Sequence, residues 1–196
     1  MQNETWTFFQ AFMKSPRVVA SVIPSSAFLK RRVIEAADLP SAQVVVELGA
    51  GTGGTTVSML KALGPGGRLI AIERTADFVP VLEAIEDERF DIVHGCASSI
   101  VEQLAGRGFE GADAVISGIP FSTMPVGLCE EIAGAIHDAL KPGGRFVAYQ
   151  FTDWVARYMR PVMGAPVVQH EILNVPPMRV FTWEKPVDID AAATAA

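Results

Sequence analysis

Val44-Val45-Val46-Glu47-Leu48-Gly49-Ala50-Gly51-Thr52-Gly53-Gly54 is the stretch that decides the fold of this chain. Three β-branched residues lead to a carboxylate, then a glycine-rich turn, then a helical pattern. Glycine lets the backbone turn tightly and approach a ligand with no Cβ in the way. A strand that delivers such a loop to a helix start makes a nucleotide-binding crevice at its carboxyl end. Gly49-x-Gly51-x-x-Gly54 fits the dinucleotide fingerprint, with acidic Glu73 about 20 residues further on. In that motif the turn sets a pyrophosphate on the helix N-terminus. Glu47 puts a negative charge close to such an anion, and suits a cationic ligand better. Three readings stand on these residues: a βα turn without a ligand, a dinucleotide site, or a site for a positively charged nucleoside cofactor.

Composition narrows the class. With 196 residues the chain suits one domain with a sizeable core. An apolar content of 49% excludes a disordered chain. The net charge of −6 argues against a nucleic-acid partner, which needs clustered Lys and Arg to neutralise phosphates. Cys96 and Cys129 lack metal-ligand spacing, so no metal is expected and both read as reduced thiols of a cytoplasmic protein. The N-terminus carries no signal-peptide pattern, and no apolar run reaches the roughly 18 residues of a membrane span.

Apolar strands alternate with helical segments from Val44 onward, which predicts a parallel sheet covered by helices on both faces. Strands are expected at 43–48, 68–73, 91–94, 112–117 and 145–151. Helices are expected near 53–63, 75–88, 98–105, 126–139 and 153–160. Gly64-Pro65-Gly66-Gly67 and Lys141-Pro142-Gly143-Gly144 read as helix-to-strand punctuation. Val167–Leu173 and Arg179–Glu184, around Pro176-Pro177, suggest a terminal antiparallel pair. Upstream, Trp6, Phe9 and Met13 share one helical stripe. Ser25-Ser26 offers a capped start for a second helix, Ala27 to Ala37, carrying Lys30, Arg31 and Arg32. The chain thus divides into a helical extension (1–38), a nucleotide-binding domain (39–186) and a disordered tail (187–196).

The run Glu47-Leu48-Gly49-x-Gly51-x-Gly53 resembles the first motif of the class I methyltransferases that use S-adenosylmethionine (SAM), whose cofactor carries an ammonium and a sulfonium but no phosphate. Glu73, Ser117-Gly118-Ile119-Pro120-Phe121-Ser122 and Lys141–Arg145 follow in the order of that superfamily. Ser15-Pro16-Arg17, Val22–Ser26, Tyr149-Gln150-Phe151-Thr152 and Asn174-Val175-Pro176-Pro177 narrow the likeness to the bacterial phospholipid N-methyltransferases, and more distantly to the rRNA adenine dimethylases. The resemblance implies a Rossmann-like, seven-stranded, mostly parallel sheet with a C-terminal antiparallel hairpin. It implies an enzyme that methylates the amine of phosphatidylethanolamine, leaving S-adenosylhomocysteine. The alternatives are a methyltransferase of a soluble small molecule, an rRNA adenine dimethylase and a non-catalytic SAM-binding module.

The same likeness assigns cofactor binding to Ser25, Glu47, Gly49, Gly51, Gly53, Glu73, Arg74, Cys96, Ala97 and Ser117, with Glu73 on the ribose hydroxyls. Cys96 stands where related enzymes often carry an acid for the adenine amino group. A thiol accepts poorly, so the Ala97 backbone amide and apolar packing are expected to hold the base. After Thr152, Asp153 and then Trp154 stand where the lipid enzymes show an aromatic residue.

In amine methyltransferases the loop after strand four reads Asn-x-Pro-aromatic; its carbonyls accept from the amine and its ring packs over the cation. Here Ser117 replaces Asn, which disfavours a flipped adenine as substrate. Ile119 supplies a carbonyl, and Phe121 either packs over the ammonium, worth roughly 0.5–2 kcal/mol, or lies in the core. Tyr149, Tyr158 and Asp153 are candidates for handling the amine proton. Arg157, Arg160 and Arg179 are candidates for a lipid phosphate. The Trp6–Met13 stripe packs on the domain or a second subunit, or lies in an anionic membrane surface with Lys14, Arg17 and Lys30–Arg32 near the head groups. The expected state is a monomer or weak homodimer, cytoplasmic and peripheral on the inner face of the membrane.

Overall fold

The computed structural model describes residues 25–187. The Trp6–Met13 stripe and the expected disordered tail beyond Val187 lie outside them. In chain order the elements are α1 (Ala27–Ala36), β1 (Val44–Leu48), α2 (Thr56–Ala62), β2 (Arg68–Glu73), α3 (Val79–Glu83), β3 (Phe90–His94), α4 (Ile100–Ala105), β4 (Ala112–Ser117), α5 (Val126–Ala139), β5 (Leu140–Gln150), α6 (Trp154–Met163), β6 (Val167–Glu171) and β7 (Met178–Glu184). The seven strands form one sheet in the order β3-β2-β1-β4-β5-β7-β6. Strands β1 to β5 run parallel, and β7 runs antiparallel to both β5 and β6. The expected architecture is therefore present, reversed hairpin included.

Strand β1 is buried along its whole length, as befits the middle of a sheet covered on both faces. Successive strand residues point to opposite faces. Val44, Val46 and Leu48 join one core with Ile70, Ile72, Val115, α4, α5 and α6. Val45 joins the other, with Leu29 and Val33 of α1 and Met59 and Leu60 of α2. By the same alternation Glu47 shares the face of Val45 and points under α2. The strand order reverses between β1 and β4, and a crevice opens there at the carboxyl ends of the strands.

Helix α1 begins as expected: the Ser26 side chain accepts from the Leu29 amide at 3.1 Å. Buried Asn174 then ties this helix to the terminal hairpin. Its Oδ1 accepts from the Ser26 amide at 2.8 Å and its Nδ2 donates to the Pro176 carbonyl at 2.8 Å. Ser26 and Asn174 came from two separate motifs of the sequence, and they meet in one joint.

The structure corrects three boundaries. Leu140–Gly144, expected as punctuation, already belongs to β5; Leu140 pairs with Ala112, and the ladder resumes after an irregularity at Ala114 and Arg145. The expected helix 75–88 is a 3₁₀ turn (Ala76–Phe78) followed by five residues of α-helix, with Pro80 at its start. Helix α2 begins at Thr56, because the glycine loop is longer than its pattern suggested.

Candidate active site

Two loops leave the sheet side by side. The Gly49 amide donates to the Ile72 carbonyl at 2.9 Å, and the Gly118 amide donates to the Leu48 carbonyl at 3.0 Å. Beyond these bonds the glycine loop and the 118–121 loop diverge around a cavity of about 460 Å³. Glu73 closes the β2 end. Its Oε2 accepts from the Gly51 amide at 2.9 Å and its Oε1 from the Thr75 amide at 2.8 Å. Gly51 has φ +56°, and a Cβ placed there meets nothing within 4 Å, so the loop presents bare backbone to open space. Gly118 is tight instead: a Cβ there would lie 2.7 Å from the Tyr149 hydroxyl and 3.3 Å from the Gly49 carbonyl.

Of the residues singled out from the sequence, Ser25, Gly49, Gly51, Glu73, Arg74, Cys96, Ala97, Ile119 and Tyr149 line this cavity. The lining is mixed: Met124, Leu128, Ile132 and Ala97 are apolar, and Ser25, Thr55 and Tyr149 carry hydroxyls.

Several expectations are corrected. Glu47 is fully buried, and it lies beneath the loop rather than in the cavity wall. Its Oε2 accepts from the Thr56 hydroxyl at 2.5 Å, while its Oε1 is buried without a partner. Burial pushes its carboxyl up to about 7, the Thr56 bond opposing and the charge of Glu73 adding to the rise. Gly53 is absent from the wall because its Cα faces Leu82 and Ile85 of the α3 region. Ser117 is buried and shapes the turn, its Oγ accepting from the Ile119 amide at 3.2 Å. Phe121 is only 1% exposed and stacks on Tyr158 with ring centroids 6.1 Å apart. Both rings therefore serve the core, and neither reaches the cavity. Cys129 packs beside them, its Sγ 3.5 Å from the Phe121 carbonyl oxygen.

None of the three arginines lines the cavity. Arg157 lies over the Trp154 ring at 5.3 Å, Arg160 is exposed, and Arg179 pairs with Asp153 at 3.9 Å. Tyr149 does line it, but its phenol is held well above the usual tyrosine range, by burial first and then by the charge of Glu47. It keeps its proton and serves as a hydrogen-bond donor rather than a base.

Sequence reasoning missed Gln150. This buried side chain donates from Nε2 to the Ile119 carbonyl at 2.5 Å and so fixes the loop after β4. Its position inside Tyr149-Gln150-Phe151-Thr152 was the available signal. Met124, Leu128 and Phe78 were also missed, since an apolar residue at a helix start looks the same in a core and in a cavity wall.

The model of the protein-L-isoaspartate(D-aspartate) O-methyltransferase family matches residues 3–150. The chain belongs to the class I SAM-dependent methyltransferases. Among particular relatives it is similar to an ornithine lipid N-methyltransferase of Singulisphaera acidiphila, 34% identical over 182 residues, covering 91% of this chain and 95% of that protein. A ribosomal RNA small subunit methyltransferase H of Burkholderia vietnamiensis is 38% identical over only 76 residues, 39% of this chain and 24% of that one. Among solved structures, a 1,6-didemethyltoxoflavin-N1-methyltransferase of Burkholderia thailandensis with bound S-adenosylhomocysteine superposes with a TM-score of 0.62. It is 20% identical and covers 94% of this chain and 90% of its own, a likeness of fold.

The cofactor is S-adenosylmethionine. Three features of the cavity fit it. A carboxylate ends β2 where ribose hydroxyls need acceptors, the loop over Gly51 leaves room for a ligand against bare backbone, and a buried acid with an unpartnered oxygen lies under that loop. A pyrophosphate would meet the charge of Glu73; a cation is favoured by Glu73 and would draw the proton off Glu47, whose carboxyl otherwise titrates at about 7.

Proposed function

We propose that this enzyme N-methylates the amine of an aminolipid head group at a membrane surface. The observation that carries the reading is the near full-length likeness to an ornithine lipid N-methyltransferase. Phosphatidylethanolamine, expected from the sequence, and an ornithine lipid share a primary alkyl amine, the group the cavity has to handle. The arginines expected to meet a lipid phosphate stand outside the cavity wall, so the head group is recognised chiefly through its amine.

Bound SAM supplies an electrophilic methyl carbon with a sulfide as leaving group. Glu73 holds the ribose, the Ala97 amide and the apolar lining hold the adenine, and Glu47 counters the positive charge from beneath the loop. The rest of the task is to align a neutral amine, and alignment alone yields much of the rate. An alkyl ammonium ordinarily releases its proton near 10.4. Desolvation against Ile119, Pro120 and Met124 lowers that value, and the proton leaves to water at the cavity mouth before the neutral amine attacks. The Ile119 carbonyl already accepts from Gln150 Nε2 and from the Phe121 amide, which fixes the loop against which the amine is aligned. Tyr149 stays protonated in the cavity wall and leaves the amine lone pair free to attack.

The protein acts at the cytoplasmic face of the membrane and uses no nucleic acid, in keeping with its net charge of −6. Among the described residues no helix is long and apolar enough to cross a bilayer. Mass spectrometry of lipids from cells expressing the protein tests the reading. Mono-, di- or trimethylated aminolipids should accumulate; an unchanged lipid profile together with a methylated soluble metabolite would replace it with the small-molecule alternative.

A further inference from the structure

Five apolar side chains stand in solvent at the end of the sheet that carries the cavity. Ile172, Leu173 and Val175 in the β6–β7 turn are 74%, 58% and 55% exposed, and Phe28 and Trp154 are exposed beside them. Their placement follows from the topology. Gln150 pairs with Arg179, so the β6–β7 turn lies at the carboxyl end of β5, next to Tyr149 in the cavity wall. Asn174 bonds the Ser26 amide, and the preceding residue, Ser25, also lines the cavity. Arg32 bonds Glu171 at 3.0 Å, and Phe28, one helical turn before Arg32, lies on the same helix face. Asp153 pairs with Arg179, which brings Trp154 to the same end.

Two further observations indicate what covers this rim. First, the turn is held from within: both ends of the buried Asn174 amide are used, so Ile172, Leu173 and Val175 are turned outward on a fixed support. Second, both exposed rings carry a cation, Arg157 over Trp154 at 5.3 Å and Arg31 over Phe28 at 5.8 Å. Aliphatic tips with aromatic rings and arginines just behind them match the layering of a lipid interface: acyl chains, then the glycerol level, then the phosphates of the head groups.

We propose that the β6–β7 turn inserts Ile172, Leu173 and Val175 into an anionic phospholipid bilayer, with Phe28–Arg31 and Trp154–Arg157 at the head-group level, so that the cavity mouth faces the membrane. The proposal rests on the aminolipid reading for its purpose, though not for the binding itself. It adds a docking surface built from described residues alone.

Flotation of the full-length protein with vesicles of phosphatidylglycerol and phosphatidylcholine provides the test. The wild type should float with the anionic vesicles, and less so as salt rises. The doubly substituted Ile172→Asp/Leu173→Asp protein should bind at least about tenfold more weakly, since charge replaces the inserted apolar area. Its methyl transfer to an aminolipid in vesicles should fall in parallel, while transfer to a water-soluble short-chain analogue stays at the wild-type level. Wild-type flotation of the double variant would overturn the proposal, as would a wild type that ignores anionic vesicles. A variant that loses transfer to the short-chain analogue as well, or that turns a dimer into a monomer by light scattering, would also overturn it. A wild type that floats yet methylates neither form would leave the docking surface standing and remove the aminolipid reading.

Discussion

The Gln150 side-chain amide holds the Ile119 backbone carbonyl at 2.5 Å, across the gap between the end of β5 and the loop after β4. The bond joins two motifs, Ser117–Ser122 and Tyr149–Thr152, that are about 30 residues apart and meet because β4 and β5 are neighbours. It fixes the loop after β4, which lines the cavity at Gly118, Ile119 and Pro120.

Gln150→Leu should therefore raise KM for the amine and lower kcat while leaving SAM affinity close to wild type. The Ile119 carbonyl keeps the Phe121 amide, so the lost hydrogen bond is worth about 1 kcal/mol, or roughly 5-fold in kcat/KM. Steady-state kinetics with calorimetry for the cofactor separates the effects. Equal losses in both would show that Gln150 supports the fold rather than the loop.

Glu73→Ala should weaken SAM binding by about 1–3 kcal/mol, roughly 5–150-fold, through lost charged hydrogen bonds and a loosened Gly51 loop. Titration calorimetry reads it directly. Unchanged affinity would place the ribose elsewhere.

Glu47 makes stability depend on pH. Burial pushes its carboxyl up to about 7 in the fold, from an ordinary 4.5. Between these values the folded state holds the extra proton, so stability falls as pH rises through this window and the loss is complete above it. The shift corresponds to roughly 3 kcal/mol. Urea unfolding at pH 5 and pH 8 should show it, and Glu47→Gln should remove the dependence and be more stable at pH 8. The same variant should bind SAM more weakly. A flat pH profile in the wild type would mean that the carboxyl is already ionised beneath the loop.

Phe121→Leu should keep KM for the amine near wild type, because the ring packs on Tyr158 and not on the substrate. A ring acting on an ammonium would instead raise KM by roughly 2–30-fold. Phe121→Ala should cost about 3–5 kcal/mol of stability in a urea melt, the price of a cavity in the core.

Much of the fold was legible because the strongest signals are local. Val44–Gly54 gave a strand, a turn and a helix; the Pro-broken end of the chain gave the reversed hairpin. Glu73 was readable because it ends a strand at the expected distance from the glycines. The errors arose where tertiary packing decides. A Phe after Pro120 has the same residue type over a substrate and in a core, and only the stacking of Tyr158 distinguishes them. Glu47 was read correctly as an acid beside the loop, but the two-residue period of β1 turns it beneath α2. The arginines of α6 and β7 could not be placed because their partners, Trp154 and Asp153, are tertiary neighbours or exposed local ones that sequence spacing does not rank. Gln150 carried no periodic signal at all.

The central claim is transfer of a methyl group from SAM to a lipid amine. The most direct measurement incubates the purified full-length protein with methyl-deuterated SAM and vesicles carrying phosphatidylethanolamine and an ornithine lipid, followed by lipid mass spectrometry. Deuterated methyl groups on the nitrogen of at least one of the two lipids, with S-adenosylhomocysteine formed in equal amount, is the expected result. Full cofactor binding with no label in either lipid, or label on a carboxyl oxygen instead of nitrogen, would contradict the account.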